Sequence, residues 1–238
     1  MALKRLLINI ANTLGFDVYK KPGKTYTYML QLLKNHQINC VLDVGANEGQ
    51  YAQKLIKYGY QGEILSFEPV ASTYKILAEN TSNHPHWKAY NFALAAAEGA
   101  TEKNISENTV SSSILEIDES HLSAAPDSKY LKKETIQLKK LDSIFFEELD
   151  LKNKNVFLKI DTQGFEMEVL KGAENALKNI IGLQLELSIT EMYKGEALFD
   201  EIIAYLKQRG FELHQIEPGL VNTNTSKLLQ FDGIFYKS

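Results

Sequence analysis

The sequence predicts an α/β domain of three layers: a mostly parallel sheet, helices on both faces, and an antiparallel hairpin at the C-terminal edge. Three observations predict it. Short apolar runs alternate with segments of helical period through most of the chain. The last two runs, 211–216 and 231–236, are joined by 217–229, a polar stretch rich in Gly, Asn, Thr and Ser with no helical pattern. Without a crossover helix such strands pair antiparallel. Finally, 238 residues, 44% of them hydrophobic, suffice for one sizeable core.

The elements follow in order. Residues 38–44 read as a buried strand closed by Gly45, and 47–58 as a helix with Tyr51, Leu55 and Tyr58 on one side. A second apolar run, 64–67, ends at Glu68-Pro69, and 72–79 continues as a helix. Residues 87–92 alternate like a third strand. The stretch 99–133 is polar and rich in Ser, Glu, Asn and Lys. A run this long without structure is unusual inside a compact domain, so it reads as a partly helical insertion over the strand tips. An extra strand at 135–138 and a short helix at 143–149 follow. Residues 156–160 form a strand closed by Asp161. Phe165, Val169, Leu170, Ala173 and Leu177 then make one apolar helical face. A strand at 183–187 and a helix at 198–208, ended by Gly210, complete the alternation.

Residues 1–37 read as an N-terminal helical extension. Leu3, Leu6, Leu7, Ile10 and Leu14 recur at helical spacing, with Lys4 and Arg5 among them. Asn9 and Asn12 interrupt the apolar stretch, which disfavours a signal peptide. The helix packs on the domain or, in the sharper reading, makes peripheral contact with a membrane surface. No apolar run has membrane-spanning length. Basic residues number 26 against 30 acidic, a net charge of −4, so nucleic acid is not an expected partner. A single cysteine, Cys40, excludes an internal disulfide and suits the reducing cytoplasm. The five histidines show no metal spacing with it, and no metal is expected.

The stretch 41–50 reads V-L-D-V-G-A-N-E-G-Q. Asp43 ends the first strand and Gly45 lets the chain turn sharply. Gly49 lets the next helix approach a ligand or strand with no Cβ in the way. Ligands of open α/β sheets sit outside the carboxyl ends of the strands. There Asp43, the loop at Gly45, Asn47 and Gly49, and the second tip at Glu68 and Pro69 converge. The dinucleotide fingerprint G-x-G-x-x-G fails, because Asn47 and Gln50 replace its second and third glycines. A pyrophosphate would also sit poorly beside Asp43. The ammonium of S-adenosylmethionine suits that carboxylate, directly or through water. Glu68 suits the ribose hydroxyls. The plainer reading makes both acids capping or turn residues.

These motifs resemble the FkbM family of S-adenosylmethionine-dependent methyltransferases. The resemblance rests on VLDVGANEGQYA (41–52), SFEP (66–69), NFALA (91–95), LD (141–142), FLKIDTQGFEMEVLKGA (157–173), LQLELS (183–188) and FDGIFYK (231–237). It runs from about residue 38 to the C-terminus. It implies a class I, Rossmann-like methyltransferase fold over 38–238, with seven strands. It also implies adenine contacts at Phe92 and Ala93. One departure stands out: the family usually has Val-Glu where this chain has Thr162-Gln163. Glutamine keeps hydrogen-bonding capacity but cannot act as a base.

Methyl transfer needs orientation and, for a hydroxyl acceptor, a base. Asp161 is the first candidate, near both methyl group and cofactor; its competing role is to cap the following helix. Glu186, an acid inside an apolar strand, faces the acceptor or binds a neighbouring group such as Lys159. Ser111, Ser112 and Ser113 offer hydroxyls to a sugar-like acceptor or are simply loop. His121 is a weaker base. The expected reaction is O-methylation of a sugar, glycan precursor or small metabolite. N-methylation of an amine or peptide, and cofactor binding without catalysis, stand as alternatives.

Overall fold

The computed structural model describes residues 24–237 apart from 109 and 224. The helix expected over Leu3 to Leu14 lies outside the described residues. The chain runs through α1 (Lys24–Asn35), β1 (Cys40–Val44), α2 (Gln50–Lys57), β2 (Glu63–Phe67), α3 (Ala71–Thr81) and β3 (Trp87–Tyr90). Next come β4 (Ala93–Leu94), β5 (Gly99–Ser106), α4 (Glu119–Ala124), β6 (Tyr130–Lys139) and α5 (Leu141–Ile144). Then follow β7 (Val156–Ile160), α6 (Glu166–Lys171), β8 (Ile180–Ser188), α7 (Phe199–Lys207) and β9 (Phe211–Pro218). A small hairpin, β10 (Val221–Asn222) and β11 (Lys227–Leu228), leads into β12 (Gln230–Lys237).

Seven strands form the main sheet in the order β3-β2-β1-β7-β8-β12-β9. All neighbours pair parallel except β12, which is antiparallel to both β8 and β9. The predicted mostly parallel sheet with a reversed C-terminal edge is therefore the observed one. One face buries Leu42, Leu158 and Leu185 against Ile144, Val169, Leu170, Ile202 and Leu206, which belong to α5, α6 and α7. The other buries Val41, Ile64 and Phe157 against Met29, Leu33, Ala52, Leu55 and Leu77, which belong to α1, α2 and α3. Each such Leu or Ile contributes about 2 kcal/mol through burial.

Several elements differ from the sequence reading; the short helix expected over 143–149 lies at Leu141–Ile144, and the strand expected over 135–138 runs Tyr130–Lys139. The second helix starts at Gln50, not 47, because Asn47 and Gly49 both adopt left-handed backbone (φ 50° and 88°) and hold the loop open for one more turn. The helix expected over 165–177 ends at Lys171, and the chain tightens into a short 3₁₀ turn at Ala176–Lys178. The insertion contains a strand. Its first eight residues, β5, pair antiparallel with β6, and β4 joins β6 to complete a separate three-stranded sheet. The sequence of β5, G-A-T-E-K-N-I-S, has no apolar alternation, so the partner strand and not the pattern makes it a strand.

Gly49 shows how tightly the first loop is held. A Cβ there would stand 2.4 Å from the Trp87 ring and 2.9 Å from Leu77. The glycine is thus required by packing against β3 and α3. Gly49→Ala should lose roughly 2 kcal/mol of stability, from left-handed strain and overpacking together. Urea unfolding measures this, and a loss under about 0.5 kcal/mol would refute the packing account.

Candidate active site

The strand registers build the site. Asp43 on β1 lies opposite Ser66 on β2 and Lys159 on β7, and Lys159 lies opposite Gln184 on β8. Two residues further along, Glu186 lies opposite Asp232 on β12, which lies opposite Glu217 on β9. Side chains alternate along a strand, so these residues and Asp161 share one face, the face of α1–α3. The apolar core of that face ends where this polar row begins. Above it opens a cavity of about 670 Å³, lined by Asn47, Tyr51, Asp161, Gln163, Glu186 and Asp232 among others.

A buried ion triad anchors the row. The Lys159 ammonium lies 3.3 Å from Asp43 Oδ1 and 3.2 Å from Asp161 Oδ2. It also faces the Tyr51 ring, 5.3 Å from its centroid. Burial works against the charge on Lys159, yet Asp161 and Asp43 hold its pKa above the ordinary lysine value. Asp43 is wholly buried and does not line the cavity; its Oδ2 accepts from Ser66 Oγ at 3.4 Å. Burial raises the Asp43 pKa and Lys159 opposes the rise. Gly45 lets the loop pass this point: a Cβ would fall 1.9 Å from the carbonyl oxygen of Asp161.

Gln163 clamps the two expected catalytic acids. Its Nε2 donates to Asp161 Oδ1 at 2.7 Å and to Glu186 Oε2 at 2.8 Å. Its Oε1 accepts from the Tyr193 hydroxyl at 2.6 Å, which fixes the direction of the amide. Gln163 holds left-handed backbone, φ 59°, a conformation that costs a non-glycine residue about 1 kcal/mol or more. Ser113 secures it by donating to its carbonyl at 2.6 Å. Glu186 also accepts from Gln230 Nε2 at 3.2 Å. Burial, reinforced by Asp161 and Glu166, pushes the Glu186 pKa well up. Burial likewise pushes Asp232 up to about 6.

Asp161 does not cap the helix after it. That helix has no side-chain cap at Phe165, and Glu166 Oε1 instead accepts from the Thr162 backbone N–H at 2.7 Å and from the Thr162 hydroxyl at 3.1 Å, closing the turn that leads into the helix. Asp161 instead spends both oxygens on Lys159 and Gln163 at the cavity wall. Glu166 is buried, and burial pushes its pKa up to about 7.

The remaining expected residues lie at the tips of β1, β2 and β3. Glu68 is buried; its two oxygens accept from the backbone N–H of Asn47 at 3.0 Å and of Val70 at 2.8 Å. It therefore ties the first loop to the second. Asn91 pins the same turn, donating to the carbonyls of Glu68 and Pro69, each at 3.0 Å. Pro69 and Ala93 line a small space with Lys103 of β5. Phe92 packs beneath it against Phe67, ring centroids 5.5 Å apart.

Of the three serines only Ser111 lines the large cavity. Ser112 accepts from the Ser106 N–H at 3.0 Å and Ser113 holds Gln163, so both organise the loop. His121 also reaches the cavity, with Nε2 3.1 Å from Ser128 Oγ and burial lowering its pKa. Among the described residues no three His, Cys, Asp or Glu side chains are grouped to hold a metal ion. Sequence reading missed Gln184, Gln230, Asp232, Tyr193 and Lys103. An acid inside the apolar run of β12 was a signal for Asp232; the others carried none.

Between residues 43 and 213 the sequence matches the family described as Methyltransferase FkbM domain. A curated relative, Methyltransferase sdnD of Sordaria araneosa, is 23% identical over 223 residues, covering 82% of this chain and 82% of that protein. Among solved structures, an uncharacterized protein of Listeria monocytogenes serotype 4b is similar with a TM-score of 0.52 at 9% identity, covering 92% of this chain and 69% of that one. TehB from Haemophilus influenzae has a TM-score of 0.47 at 10% identity, with coverages of 89% and 62%. The Listeria likeness speaks to the fold alone.

Two measurements probe the buried charges. Lys159→Met leaves Asp43 buried without its cation and should lower stability by about 3–5 kcal/mol; adding Asp43→Asn should restore much of it. A double variant as unstable as the single would refute the pairing. Glu166 behaves in the opposite sense to a paired acid. Its folded pKa of about 7 exceeds its ordinary 4.5, so raising the pH through that window favours the unfolded chain. Wild type should lose about 3 kcal/mol there relative to Glu166→Gln, which keeps the acceptor oxygen for Thr162. Urea curves at pH 5 and pH 8 test it; an equal difference at both would refute the assignment.

Proposed function

The chain belongs to the FkbM methyltransferase family, and from that premise we propose that it methylates a hydroxyl of a sugar, glycan precursor or small metabolite. The methyl donor is S-adenosylmethionine. Bound, it supplies an activated methyl group on a cationic sulfur. The residues present fit that donor chemically: its cationic centres suit a cleft edged by carboxylates, and the Glu68 carboxylate has lone pairs left for ribose hydroxyls.

The observation that carries the acceptor class is the cavity wall. Asp161, Gln163, Gln184, Glu186, Gln230 and Asp232 line it together, a surface of carboxylates and amides. Such groups pair with many hydroxyls and repel an apolar acceptor. In this reading Asp161, its carboxylate aimed by Lys159 and Gln163, takes the proton that the acceptor hydroxyl loses. Glu186, its pKa pushed up by burial, is placed to donate a hydrogen bond to a second acceptor oxygen when protonated. The acidity of the wall also suits an amine, which would make the enzyme an N-methyltransferase. The upward shifts of Glu186 and Asp232 favour the hydroxyl, because an acid that holds its proton more tightly attracts an ammonium less. The same reading expects no nucleic-acid acceptor, given the net charge of −4, and a cytoplasmic location for the single thiol of Cys40. No described helix is long and apolar enough to cross a membrane.

The test is incubation with S-adenosylmethionine and panels of sugars, nucleotide sugars and amines, with mass spectrometry of the product. Methylation at nitrogen alone would refute the hydroxyl reading. With a working acceptor, Asp161→Asn should cut kcat by roughly 10²–10⁴-fold while cofactor affinity changes only a few-fold. Undiminished turnover would remove Asp161 from the role of base.

A further inference from the structure

A largely buried lysine borders the space that a nucleoside would need. The tips of β1 and β2 and the start of β4 bound a space over Val44, Phe67 and Ala93. Its free volume is about 20 Å³. That is room for about one water molecule. The inserted segment walls one side of the space, through Lys103 of β5 and Ile114 in the loop after it.

Lys103 is an unusual occupant. It is only 8% exposed. Among the described residues its ammonium makes no hydrogen bond or ion pair. Glu68, Asp161 and Glu166 attract it, and burial outweighs them to lower its pKa. A lysine so largely withdrawn from water without a close partner is unfavourable. The β5–β6 ladder, in which Lys103 lies opposite Glu134, holds its backbone over the cleft regardless.

We propose that Lys103 gates the cofactor site, its side chain filling the nucleoside space when that space is empty and withdrawing when the cofactor enters. The proposal rests on S-adenosylmethionine being the cofactor. The exchange replaces an aliphatic side chain by a ribose whose hydroxyls can donate to Glu68. It also links the two halves of the cleft. The insertion that carries Lys103 carries Asn108, Ser111 and His121, which line the acceptor cavity. Movement at β5 therefore reshapes the acceptor wall.

Calorimetry with S-adenosylhomocysteine on the full chain tests the gate. Lys103→Ala and Lys103→Ser empty the space and should bind about 10-fold more tightly than wild type, because the closed form no longer competes. Lys103→Met keeps the bulk and should stay within about 2-fold of wild type. Unchanged or weaker binding by both small variants would overturn the gate, as would Lys103→Met tightening as much as Lys103→Ala. Failure of wild type and all variants to bind would overturn the cofactor reading and the gate with it.

Discussion

A lysine held between two carboxylates at the edge of the core is the constraint on which the rest of the site depends. Lys159 joins Asp43 of β1 to Asp161 beyond β7, and all three are presented on one face by neighbouring parallel strands. Burying these charges is tolerable only because they meet each other. The arrangement has a consequence for Asp161. Its carboxylate is drawn to the cavity wall by Lys159 and is not available to the helix that follows, and Glu166 from the first turn of that helix ties down the turn at Thr162.

Where the family usually has a glutamate, Gln163 changes the character of the site. A glutamate there would add a further negative charge beside Asp161 and Glu186. The amide instead donates to both acids with one nitrogen and is oriented by Tyr193 through its oxygen. It is a positioning group and not a proton carrier. Its left-handed backbone and its tie to Ser113 show that the surrounding loop is built to keep it there.

The cleft has two unequal halves. On the side of β7, β8 and β12 it is wide and polar. On the side of β1, β2 and β4 it is nearly shut by the inserted sheet. Glu68 and Asn91 make the narrow half rigid by tying together the loops after β1, β2 and β3. The inserted segment contributes to both halves, with Lys103 and Ile114 at the narrow one and Asn108, Ser111 and His121 at the wide one.

Much was legible in the sequence because much was local. The alternation of apolar runs and helical periods determined the mostly parallel sheet, and the missing crossover helix after 211–216 determined its antiparallel edge. Asp43, Gly45, Asn47 and Gly49 marked the first strand tip, and Glu68 and Asp161 marked two more. What the pattern did not carry was long-range. β5 is polar and becomes a strand only through its partner β6. Asp43 reads as a cofactor-binding carboxylate at a strand tip, and the register with Lys159 adds a buried counter-ion that the pattern did not show. Gln230, Tyr193 and Lys103 reach the cleft from segments far apart in the chain. Local propensity and period are properties of neighbouring residues, so the sequence alone determined the fold class and the strand tips. Which side chains meet above those tips depends on pairing between distant strands, and only the tertiary structure decided it.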